Sequence, residues 1–217
     1  MDEVITRRII KPCDCVVAFG IPTSLEGFRR ARENPANRDF VINRCPDARD
    51  YQRQIISYTD KLLPVMTALG ASVVRDLTLD GFKTLFSQDP PVIILFAHWD
   101  ADSIEFADGL ASIEDVINAV PIEYGGIIDL CVCHPKKLAL ELRRLRKNCV
   151  VKFAEGRTTA SFWLYFYVVL FKKLLSSRMT YLNAVSDTIV NFQDNFRPQS
   201  CSDYKRSLRR FFSKRVS

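Results

Sequence analysis

Short apolar runs alternate along the chain with stretches of helical period. CDCVVAFGIP (13–22) is an apolar run closed by Gly20 and Pro22, the pattern of a buried strand. After Pro46 and Asp47, the residues Tyr51, Ile55, Ile56, Leu62, Leu63 and Met66 recur at threes and fours as far as Gly70. That spacing predicts a helix with a glycine stop, kinked at Pro64. ASVVRDLT (71–78) predicts a second strand, LDGFKTLF (79–86) a short helix, and PPVIILFAHW (90–99) a third strand, apolar almost throughout and therefore central. IEFADG (104–109) reads as a hairpin arm, SIEDVINAV (112–120) as a helix capped by its serine, and GGIIDLCVC (125–133) as a fourth strand.

HPKKLALELRRLRKN (134–148) sets Pro135 near a first helical position and Leu138, Leu142 and Leu145 at helical spacing. CVVKFAE (149–155) follows as a fifth strand, then an aromatic helix from about Thr159 and another over 181–193. Only 23–44 resists: it is polar, basic and broken by Pro35, with FVIN (40–43) as a minor strand or packed loop. Strands alternating with helices imply an α/β fold, a mostly parallel sheet covered on both faces, with reactive groups at the carboxyl ends of its strands.

Composition changes this picture little. The 217 residues, 47% hydrophobic and 26% charged, fit one soluble domain, expected over 1–195, with a basic tail over 196–217. The longest apolar run, FWLYFYVVLF (162–171), falls short of the ~20 residues that cross a bilayer. The opening MDEVITRRIIKP lacks the order of a secretory signal, so a cytoplasmic location with reduced cysteines is expected. Seven cysteines is an odd count for a disulfide framework. The net charge of +6 owes much to LRRLRK (142–147) and to the tail, whose basic residues and Leu208, Phe211 and Phe212 fit either a docked terminal helix or contact with RNA or an acidic membrane. Neither glycine-rich phosphate-binding signature is present, and no cofactor is implied.

The chemistry concentrates at two strand ends. The third strand delivers His98 and the fourth delivers Cys131 and Cys133, which neighbouring parallel strands would bring to one rim. An imidazole beside a thiol can take its proton and leave a nucleophilic thiolate, aided by the helix that starts near Pro135. The plainer alternative is a buried structural cysteine and a hydrogen-bonded histidine. Zinc held by Cys13, Cys15, Cys131, Cys133 and His134 is a further alternative, weakened because C-x-C is not the usual ligand spacing.

FAHWD followed by a hairpin, a capped helix and a strand ending DLCVC resembles the caspase-like fold of cysteine peptidases, a three-layer α/β/α sandwich. FWLYFYVVLFKKLLSSRMTYLNAVSDTIV narrows the resemblance to the bacterial CHAT peptidases. The resemblance implies an endopeptidase that cuts a protein partner at few sites, in bacterial immunity or regulated cell death, with an activating protein partner conceivable. On its register His98 is the general base and Cys131 the nucleophile, with Cys133, served by His134, as the other candidate. Backbone N–H groups of Trp99 and Cys131 would hold the oxyanion. Asp129 would line the pocket before the cut and favour Arg or Lys, reinforced by Asp100, Asp102 and Glu105 unless these acids form only a solvated turn. Trp99 stands where these peptidases usually carry glycine, which leaves room for a non-catalytic binding module on the same scaffold.

Overall fold

The structure, a computed structural model, describes residues 5–100, 102–154 and 159–195. The basic tail and the end of the expected fifth strand, at Glu155, lie outside these residues. The architecture is α/β. Five parallel strands, β1 (Cys15–Phe19), β2 (Ser72–Val74), β3 (Val92–Phe96), β7 (Ile127–Cys131) and β8 (Val150–Phe153), form a sheet in the order β2-β1-β3-β7-β8. Between β3 and β7 the chain makes a small antiparallel sheet of β4 (Trp99–Asp100), β5 (Ser103–Phe106) and β6 (Gly109–Ser112).

β1, β3 and β7 are buried along their whole length because both faces carry helices, which is why their sequences read as unbroken apolar runs. On one face Val17, Phe19, Ile94 and Phe96 pack with α1 (Leu25–Glu33), α4 (Ser57–Ala68), α8 (Ala160–Ser176) and α9 (Tyr181–Asn195). On the other, Ala18, Ile93, Leu95, Ile128 and Leu130 pack with α5 (Leu79–Leu85), α6 (Ile113–Ala119) and α7 (Lys136–Leu145). This is compatible with a three-layer sandwich. No helix among the described residues is long and apolar enough to cross a membrane.

Local sequence explains most boundaries. Ser24, Thr78 and Thr159 each cap a helix by accepting the N–H three residues on, and Ser112 does so within a capping box completed by Asp115. Asp47 caps α3 (Ala48–Tyr51), which continues through a wider π turn over Gln52–Ile56 into α4, so the expected helix is present with its irregularity upstream of Pro64.

One expectation is corrected. FVIN is neither strand nor loop but lies in α2 (Arg38–Arg44), with Val41 turned into the core. The arginines of LRRLRK serve partly as structural ties. Arg146 donates to the carbonyls of Ile117 and Val120, Arg143 donates to that of Val151, and Arg144 pairs with Glu141. Arginine's fork of donors is used here to tie α7 to α6 and β8.

The hairpin sheet is fastened over the carboxyl edge of β1. A Cβ on Gly20 would sit 2.5 Å from the Glu105 carbonyl oxygen, so only glycine permits this approach. The hairpin tip is tied down as well: Ala107 N–H donates to Leu77 O, Leu79 N–H to the Asp108 carboxylate, and the Asn34 amide to Asp108 O.

Candidate active site

β3 and β7 are bonded neighbours, and their register pairs Phe96 with Cys131. Beyond that pair both chains leave the sheet, His98 toward the hairpin, where its carbonyl accepts from Glu105 N–H, and Cys133 through a bend toward α7. His98, Cys131 and Cys133 line one small cleft at the carboxyl rim, together with Phe96 and with Ala160 and Trp163 from the first turn of α8. Its free volume of about 20 Å³ suits one water or two.

The three reactive side chains differ in surroundings. Cys131 is 6% exposed and donates through Sγ to the Tyr167 hydroxyl at 3.0 Å. Burial, and then the nearby Asp129 charge, push its thiol well above the ordinary range. Cys133 is half-buried, beyond the last strand residue and ahead of α7, whose first helical residue is Lys136. His98 is half-buried, but its Nε2 is enclosed with no hydrogen-bond partner. Burial, reinforced by the charge of Arg44, holds its pKa well below the usual 6.5, so the imidazole is neutral and able to accept a proton.

That depression has a thermodynamic consequence. The unfolded chain takes up a proton at His98 near pH 6.5, while the folded chain resists until lower pH. The contribution is complete above the unfolded value and is lost as pH falls below it toward the folded one. His98→Gln is therefore expected to flatten the fall in denaturation midpoint between about pH 7 and about pH 5. An equal acid dependence in both proteins would contradict the burial of the imidazole.

The backbone around His98 is held by the hairpin. Glu105 N–H donates to His98 O, and the next pair in the ladder is Trp99 with Ile104. Hydrogen-bonded and non-bonded pairs alternate in antiparallel ladders, so Trp99 N–H is directed away from β5, toward the open edge of its sheet. A donor therefore survives where glycine was expected, since its position depends on the ladder and not on a glycine-only conformation. The Trp99 ring packs against the cluster beneath α5 and α6.

The expected acids fall in different places. Asp129 is wholly buried, facing α8 and α9 two residues deeper than Cys131. Its Oδ2 accepts from the Tyr181 hydroxyl at 2.7 Å, and Lys152 Nζ lies 2.9 Å from Oδ1, an ion pair without hydrogen-bond alignment. A carboxylate neutralised inside the protein offers no charge to an incoming Arg or Lys, so the basic preference loses the residue that motivated it. Asp102 is exposed and pairs with Lys137 at 2.8 Å. Glu105 is no turn residue: it is fully buried and grips Arg44 at 2.7 Å and 3.5 Å. Asp100 pairs with Ser103 through its backbone. His134 follows Cys133 at a positive φ of 52°, exposed at the turn into α7. Cys13 and Cys15 lie at the amino end of β1, opposite the rim that carries Cys131 and Cys133, so the fold does not bring the proposed zinc ligands together.

Sequence reasoning missed Lys152, Tyr167, Tyr181 and Arg44 around the site. Lys152 stands beside Asp129 in the register of β7 and β8, and opposite charges in two otherwise apolar strands were the available signal. Its ammonium also sits over the Trp163, Phe166 and Tyr167 rings, 4.8 to 5.7 Å from their centroids. No protein-family model matches the chain, and no curated protein is similar to it in sequence.

Proposed function

We propose that the protein is a cysteine endopeptidase in which Cys133 is the nucleophile and His98 its base. The observation that carries this reading is the shared cleft: an unpartnered neutral imidazole nitrogen and a half-buried thiol line it together, just past the ends of neighbouring parallel strands. The caspase-like motifs favour the same chemistry. Cys133 is preferred to Cys131 because the latter is buried, engaged with Tyr167 and kept protonated.

In this mechanism His98 takes the Cys133 proton and the thiolate adds to a peptide carbonyl. The oxyanion is met by Trp99 N–H, with the positive end of α8 beside the cleft. His98 then gives its proton to the departing amine, and water hydrolyses the thioester. No side-chain preference is assigned.

Alkylation with iodoacetamide at neutral pH tests the dyad. Cys133 is expected to label first, and His98→Ala to slow it. Fastest labelling of Cys131 would return the nucleophile to that residue. Slow, uniform labelling indifferent to His98 would favour the second reading, a non-catalytic module that binds a protein partner. The observation behind that alternative is the size of the cleft, which admits water but no peptide side chain.

A further inference from the structure

Cys131 has no part in the peptide-bond chemistry, yet it lines the same cleft as Cys133. One residue, Val132, separates them where β7 ends and the chain bends toward α7. Two Cα–Cα steps of ~3.8 Å bound the separation of their Cα atoms at ~7.6 Å, and the bend between them brings it toward the range that a disulfide spans. The cleft admits molecules of water's size, and His98 is present to move protons.

We propose that Cys133 and Cys131 form an oxidative modification site that consumes a hydroperoxide and closes as a disulfide across Val132. It shares the cleft with the peptidase reading but does not depend on proteolysis. The Cys133 thiolate attacks one peroxide oxygen; the O–O bond breaks, the other oxygen leaves with a proton as water or an alcohol, and the sulfur becomes a sulfenic acid. The Cys131 sulfur then loses its proton to His98 and attacks the sulfenic sulfur. The S–O bond breaks, the hydroxyl leaves with that proton as water, and the S–S bond forms. The two thiols supply the two electrons that reduce the peroxide. The second step is the slower, because burial keeps Cys131 protonated and its bond to Tyr167 must be released. Closure spares Cys133 from irreversible oxidation, and a thiol reductant restores it.

The sequence makes the test clean. Trypsin releases the fragment Thr84–Lys136, in which Cys131 and Cys133 are the two cysteines. The full-length reduced protein is treated with equimolar hydrogen peroxide, blocked with iodoacetamide and digested. The expected fragment has lost two hydrogens, carries no alkyl group, and takes up two after dithiothreitol. In Cys131→Ser the fragment instead gains oxygen, trapped as sulfenic acid by dimedone, and in Cys133→Ser it does neither. Thermal melts of the reduced variants, with Cys131→Ala as a second replacement, check that each is folded. Wild-type fragment that gains oxygen without losing hydrogen, a link from Cys131 to another fragment, or a Cys131→Ser product identical to wild type would overturn the site. Absent hydrolysis with this mass pattern intact would remove only the peptidase reading.

Discussion

Replacing His98 with alanine is expected to lower kcat/KM for hydrolysis of an unfolded protein substrate by about 10²–10⁴-fold, the usual contribution of a positioned general base. Cys133→Ala should abolish turnover, and His98→Ala/Cys133→Ala should be no worse than Cys133→Ala, because residues that act as a unit lose their effects together. Cys131→Ser separates the two candidate nucleophiles. With its thiol buried against Tyr167, its loss should leave most of the activity, whereas a loss equal to that of Cys133→Ala would show that the strand presents the deeper sulfur. Scoring cleavage by the new amino termini, rather than by loss of substrate alone, excludes a contaminating peptidase of different specificity.

The second large effect is on stability. Lys152→Met should destabilise the fold by about 3–5 kcal/mol, measured from urea unfolding, because it leaves the Asp129 carboxylate uncompensated in the core. The methionine keeps an apolar stem against Trp163 and Phe166, so the loss reports the charge more than the packing. Pairing it with Asp129→Leu removes both charges and should recover much of that loss, since a buried ion pair replaced by apolar residues of similar volume is often close to neutral. A double variant no more stable than Lys152→Met would mean that the two charges are not coupled. Tyr181 lends a neutral hydrogen bond to the same carboxylate, which limits the loss without supplying a counter-charge.

The sheet was legible because its central strands are buried on both faces, so β1, β3 and β7 stand out as apolar runs, and caps such as Ser112 and Thr159 mark helices by local chemistry alone. The region from Thr23 to Arg44 was not legible. Its two short helices bury little more than Phe28, Ala31 and Val41, and exposed arginines and Pro35 conceal so thin an apolar stripe. At the site, sequence order correctly drew His98 and the cysteines to one rim, since parallel strands deliver their carboxyl ends together. It could not tell which cysteine keeps an accessible thiol, because Cys131 is buried and engaged by Tyr167, 36 residues further along the chain. Nor could it see that Asp129 is neutralised by Lys152, whose strand begins 21 residues later.

The hairpin over the rim has both its approach and its tip anchored: Gly20 meets Glu105, and Asp108 is held from Leu79 and Asn34. A flap pinned at both ends cannot swing like a door. Any widening that admits a polypeptide to the sulfur therefore has to begin on the opposite shoulder, where the first turn of α8 offers Ala160 and Trp163, so the aromatic helix is the part of the molecule whose displacement would govern admission.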